Sequence, residues 1–229
     1  MGNRYLLPDF PENTRWFSPE ERRLAQVRLA EEAGEADEDA PTDSAWTGLA
    51  LACKDPKVWL FSLYTCTQLI GLSFLAFFPT LTSTLGFNST VSLLLAAPPW
   101  LLATVITCFN ALHADKTGER FFHNTVPFWG VVVGYIIGVT TVSVAGRYVA
   151  LFFMACGFAG SALTLVWVAN TASRPPAKRA AAIAIVNGVG NIGSLIGSFV
   201  WKAQWGPDYH PSMYIGIAMF GLTIMLAIG

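Results

Sequence analysis

Three groups of residues in this chain are of a type and spacing to do chemistry, and each lies in or beside a long apolar stretch. The first is residues 111–120, A-L-H-A-D-K-T-G-E-R, which crowd Asp115, Lys116, Glu119 and Arg120 around Gly118. A carboxylate and a guanidinium at that spacing can form a charge-assisted hydrogen bond across a tight turn. Such a pair can latch one conformation and break in another. The competing reading is a solvated basic loop. The second group is Asn187, Asn191, Ser194 and Ser198, which fall within about 60° of one another at 100° per helical residue. Gly190, Gly193 and Gly197 form the neighbouring stripe, where small side chains let another helix approach closely. Amides are costly facing lipid. Asn187 and Asn191 therefore either glue helices together or border a substrate path. The third group is Tyr64, Gln68 and Gly71, on one face with Thr67 beside them. An amide as deep as Gln68 should face protein or water, so Tyr64 and Gln68 are cavity candidates.

Several chemistries find no support in these residues. There is no H-E-x-x-H pair, no phosphate-binding glycine loop and no nucleophile beside a base, so no enzyme activity is expected. Cys53, Cys66, Cys108 and Cys156 lack metal-ligand spacing and read as small hydrophobes. No metal or cofactor is expected. His113, His123 and His210 fall at or beyond the ends of apolar runs and read as solvated loop residues. The few scattered Lys and Arg give no nucleic-acid footprint.

The elements that must carry these groups are membrane helices. The 229 residues are 53% hydrophobic and 13% charged, with a mean hydropathy of +0.48. No Asp, Glu, Lys or Arg lies between Lys57 and Asp115, Arg120 and Arg147, Arg147 and Arg174, Arg179 and Lys202, or beyond Asp208. The first gap has room for two crossings of the ~20 residues a bilayer needs, and each later gap for one. Six spans follow, at about 57–79, 91–112, 125–144, 148–169, 180–201 and 212–229. The runs are continuously apolar and lack strand alternation, so the fold class is an all-α membrane protein with six transmembrane helices, solvated by the lipid bilayer. Trp59, Trp129, Trp201 and Trp205 sit near span ends, as interfacial aromatics do. Pro98 and Pro99 are expected to kink the second span. Trp167 reads as an interfacial anchor of the fourth.

Residues 1–56 form a polar, acidic head. Ser18, Pro19 and Glu21 spell a helix start with a capping box, and the helix is expected to end near Ala33. Leu24, Val27 and Ala30 would face a partner surface, and residues 34–41 read as a flexible acidic linker. With the head cytoplasmic, Lys54, Lys57, Lys116, Arg120, Arg174, Lys178 and Arg179 flank the inner membrane face. Only Arg147 and Lys202 flank the outer one. That bias predicts cytoplasmic N- and C-termini. Asn88 opens an N-S-T sequon on the outside, where closeness to the membrane favours an unmodified side chain. No signal peptide is expected, because residues 1–10 hold no apolar run.

The 111–120 loop resembles the cytoplasmic loop signature of the major facilitator superfamily, G-x-x-x-D-[RK]-x-G-x-[RK]. Asp115, Lys116, Gly118 and Arg120 match it, and Ala111 stands where the leading glycine would. Residues 7–16 (L-P-D-F-P-E-N-T-R-W) with 18–22 (S-P-E-E-R), 187–194 (N-G-V-G-N-I-G-S) and 205–209 (W-G-P-D-Y) resemble fungal allantoate permease-like transporters, an anion:cation symporter branch. The resemblance implies twelve spans in two halves, with this chain equivalent to the C-terminal half and an N-terminal six-helix half missing. It also implies uptake of a small organic anion, such as allantoate or a carboxylate vitamin, at the plasma membrane. Proton coupling and alternating access are part of the same implication. Spans one and four would border the central cavity. No Asp, Glu, Lys, Arg or His lies in any span core, so the proton carrier of a proton symporter would belong to the missing half. Half a clamp cannot enclose a substrate, and the chain alone is expected not to transport. The alternative is a truncated, non-transporting membrane protein or a docking partner of a full transporter.

Overall fold

In a computed structural model, residues 17–37, 44–172 and 174–228 are described, and among them every long element is a helix. Helix α1 (Pro19–Asp37) opens with the anticipated capping box. The Glu21 N–H donates to Ser18 Oγ at 3.2 Å and the Ser18 N–H to Glu21 Oε2 at 2.8 Å. The helix continues past Ala33 to Asp37, so the first residues of the expected linker are helical. Leu24 and Val27 are exposed. Residues 7–16 and 38–41 lie outside the described residues.

A short helix that sequence reading missed, α2 (Ala45–Lys54), follows with Ser44 as its N-cap. Its Gly48 and Ala52 are buried against a later helix.

Six helical segments of 28, 29, 20, 28, 23 and 19 residues are long and apolar enough to cross a membrane. The first comprises α3 (Pro56–Gly71), a 3-10 stretch (Leu72–Phe77) and α4 (Phe78–Ser83). The cause of this break is local. Pro79 has no N–H for the Leu75 carbonyl and its ring crowds that carbonyl, so the chain tightens ahead of it. The Tyr135 hydroxyl donates to the Gly71 carbonyl at 2.6 Å, satisfying a group at the break.

Helix α5 (Ser89–Thr117) runs unbroken through Pro98 and Pro99. Asn88 caps it by accepting from the Val91 N–H at 2.9 Å. Helix α6 spans Phe121–Thr140, four residues ahead of the expected 125–144. Gly118 stops α5 abruptly at φ +69°, leaving a very short turn. The fourth segment is broken at Gly157 into α7 (Val144–Cys156) and α8 (Phe158–Thr171). A Cβ at Gly157 would overlap Val131 Cγ2 and lie 3.2 Å from Leu72 Cδ2, so the two broken segments meet at their breaks. Helix α9 (Pro176–Ser198) and α10 (His210–Ile228) complete the bundle.

The most extensive pairing joins α3 to α9, with α6 against α7 and α10 against α3 and α6. The core is aromatic: Tyr64, Phe74, Phe78, Phe128, Tyr135 and Phe220 are all at most 1% exposed. Helix α5 is the least enclosed, presenting Leu94, Leu101, Phe109 and Leu112 outward, as a lipid-facing surface does. Trp59 and Trp129 are exposed, but Trp201 is 4% exposed and is not an interfacial anchor. Its indole N–H donates to Ser73 Oγ at 2.9 Å and its ring stacks on Phe77. Trp167 is likewise drawn inward, edge-on to Phe61 and Tyr64.

Candidate functional site

Helices α3, α6 and α8 bring four polar side chains together inside the apolar core. The Tyr64 hydroxyl donates to Asn124 Oδ1 at 2.9 Å. The Thr164 hydroxyl lies 3.1 Å from Gln68 Oε1 and 3.4 Å from Asn124 Oδ1. All four are at most 2% exposed, under the rings of Phe61 and Trp167. Asn124 Nδ2 has no partner and the Thr65 hydroxyl is also unpaired. A buried orphan donor costs about 1–3 kcal/mol, so this knot concentrates strain where three helices meet. Tyr64 and Gln68 are thus inside the bundle in this conformation, and neither reaches an open cavity. Asn124 and Thr164 complete the knot; in the sequence each is one polar residue near a span end, with nothing to pair them.

On α9 one of the two neighbouring stripes is buried and the other exposed. The glycines are buried against the first segment: a Cβ on Gly190 would sit 2.5 Å from Thr65 Cγ2, one on Gly197 2.5 Å from Ser73 Cβ, and one on Gly193 would overlap the Cys66 carbonyl. Asn187, Asn191, Ser194 and Ser198 lie on the exposed side. There the Asn191 amide donates to the Asn187 carbonyl at 2.8 Å and lies 3.3 Å from Asn187 Oδ1. The Asn191 amide is thus tied back along its own helix, and polar surface is left pointing outward. Asn187 and Asn191 are not brought near Tyr64 and Gln68 by any hydrogen bond among the described residues.

Ion pairs sit at the ends of the helices. In the α5–α6 turn, Arg120 Nη2 donates to Asp115 Oδ1 at 2.7 Å, closing the loop on itself. Lys116 is exposed in the last turn of α5, where a cation complements the helix dipole. Glu119 Oε1 accepts from the Phe122 N–H at 2.9 Å and caps α6. At the same end of the bundle, Lys178 of α9 reaches Asp55 Oδ2 at 2.6 Å, while Asp55 Oδ1 caps α3 through the Lys57 N–H at 2.9 Å. That ammonium holds the Asp55 carboxyl below its ordinary value. At the opposite end Arg147 pairs with Asp208, over a small cleft lined by Leu81, Leu85, Gly138, Leu151 and Met213. All four cysteines are free.

A bundle of six spanning segments with broken helices and an ion-paired turn is a pattern that can be compared with known proteins. Residues 6–198 match the sequence profile of the Major Facilitator Superfamily. The chain belongs to that superfamily. It is an integral, multi-pass membrane protein of a transporter family, and not an enzyme. It is 28% identical over 207 residues to an uncharacterised transporter of Schizosaccharomyces pombe, covering 90% of this chain and 41% of that one. Against the MFS-type transporter efuF of Hormonema carpetanum it is 26% identical over 234 residues, covering 97% and 45%. A protein of Agrobacterium vitis named as a candidate tartrate transporter is 28% identical over 242 residues, covering 97% and 50%. The chain therefore spans about half the length of these curated relatives. No solved structure matches it.

Proposed function

We propose that this bundle is the C-terminal half of an alternating-access transporter for a small organic anion, working against a second six-helix half. The observation that carries this reading is the outward polar face of α9. Asn187, Asn191, Ser194 and Ser198 are exposed from the middle of α9 to its end, where lipid would be a poor solvent for the amides. A second helical half, or a water-filled path between halves, satisfies them. The breaks at Leu72–Phe77 and Gly157 support the same reading, since broken helices occur at membrane depth where protein or a cavity encloses them.

The chain's span of about half its relatives' length fits a partner half, and the tartrate name carried by one relative fits a carboxylate substrate. Allantoate or a carboxylate vitamin would belong to the same class. In this scheme the two halves rock about a midplane site. Asn187 and Asn191 border the path, the Tyr64–Asn124–Thr164–Gln68 knot opens or closes with the α3–α8 contact, and the Asp115–Arg120 turn latches one state. Proton coupling in the parent draws on an acidic, basic or histidine side chain outside these span cores. The termini face the cytoplasm at the plasma membrane, and Asn88 serves as a helix cap, not a glycan carrier. A non-transporting docking subunit is the rival, and the same α9 face would then bind a complete transporter.

Uptake of labelled tartrate separates the two. Cells expressing these residues grafted in place of the matching part of the Agrobacterium vitis relative should take it up, and Asn187→Leu with Asn191→Leu in that graft should abolish uptake while insertion persists. Saturable uptake by the 229 residues alone would overturn the half-transporter reading.

A further inference from the structure

We propose that His113, His123 and Glu119 form a proton-binding site at the α5–α6 turn, in which one excess proton clamps the two imidazoles together and a second forces them apart. The geometry is independent of any transport reading. His113 Nδ1 lies 2.6 Å from His123 Nε2, and the ring centroids are 4.9 Å apart. His123 Nδ1 lies 2.8 Å from Glu119 Oε2. His113 is near the end of α5 and His123 near the start of α6, so the pair ties two spans.

The proton count follows from the atoms. A carboxylate only accepts, so His123 Nδ1 carries a hydrogen and donates it to Glu119. His123 Nε2 is then a lone pair and accepts from the hydrogen on His113 Nδ1. One excess proton enters at His113 Nε2, making that ring an imidazolium without disturbing the contact, and the N–H···N bond becomes charge-assisted. A second proton has one ring nitrogen left, His123 Nε2. That would set two N–H groups head to head across 2.6 Å, between two cations. The rings must separate.

The neighbours favour this sequence. Burial pushes the Glu119 carboxyl up, but hydrogen bonds from the Phe122 N–H and His123 outweigh it and hold it below its ordinary value. Glu119 therefore remains ionised while imidazoles titrate. From α5 the charged neighbours are Asp115, already paired with Arg120, and Lys116. Helix α8 packs here through the Asn110 amide, which donates to the His123 carbonyl at 2.8 Å and approaches the Ala159 carbonyl at 3.4 Å, and it carries no titratable residue. On α7, Arg147 is engaged by Asp208 at the other end, and Tyr148 and Cys156 are the remaining titratable groups. Among the described residues, Glu119 is the one charged group paired with His123.

Histidine-resolved NMR titration of the full chain in nanodiscs tests the site, with His210 as the internal control. The ring signals of His113 and His123 should each respond to both protonation events of the pair, and neither should follow the response of His210. His113→Gln should collapse His123 to a single step, and Glu119→Gln should move the first step to lower pH. Spin labels at positions 112 and 122, exposed sites on the two helices, should move apart between pH 7 and pH 5 in the parent but not in His113→Gln. Two independent single steps would overturn the site, and an unchanged label distance would overturn the clamp.

Discussion

Gly193 offers the sharpest perturbation, because its neighbour is backbone and cannot rotate away. A Cβ there overlaps the Cys66 carbonyl, while Gly188 on the same helix has nothing within 4 Å. Gly190 shows the scale of the problem: 2.5 Å against an ordinary contact of 3.4–4 Å. In Gly193→Ala, α9 and α3 must therefore part by about 1 Å along the most extensive helix pair in the bundle, an overpacking strain of about 1–3 kcal/mol. At about 2–4 °C per kcal/mol for a chain of this size, the midpoint should fall by several degrees. Gly188→Ala is the matched control, exposed and open, and its helix-propensity gain should leave the midpoint unchanged or higher. The assay is thermal unfolding of both variants in the same detergent, followed by tryptophan emission. Equal midpoints for Gly193→Ala and Gly188→Ala would refute the argument that this stripe sets the α3–α9 distance.

Two further outcomes follow from the polar contacts. Tyr64→Phe removes the hydroxyl that Asn124 Oδ1 accepts from; it should cost about 0.6 kcal/mol, the average for buried membrane hydrogen bonds, and in a cycle with Asn124→Leu the two effects should not add. Asp55→Asn keeps the α3 cap but loses the Lys178 ion pair, costing about 1 kcal/mol. Because the folded carboxyl titrates below its ordinary value of 3.8, that stabilisation is present above this value and disappears as pH falls through the lower, folded one. The midpoint difference between parent and Asp55→Asn should thus be constant at neutral pH and vanish at low pH. A difference that persists in acid would refute the ion pair as its source.

What the chain determined by itself was solvent and order. Uninterrupted apolar runs can be solvated only by lipid, and in lipid only helices satisfy their own backbone, so six spanning helices were legible before any contact was known. Cap and stop signals were equally local: Ser18 with Glu21, Asp55 before Pro56, and Gly118 at positive φ all act within a few residues. The glycine and asparagine stripes of α9 could be told apart by periodicity alone. Which of them met a helix could not. That decision belongs to the tertiary structure, which set the glycines on α3 and left the amides outward. It also enclosed Tyr64 and Gln68 with Asn124 and Thr164, pulled Trp201 inside, and turned two ordinary histidines into a hydrogen-bonded pair. Residues 40–100 positions apart in sequence meet only when three helices pack, and hydropathy is blind to which polar face meets which.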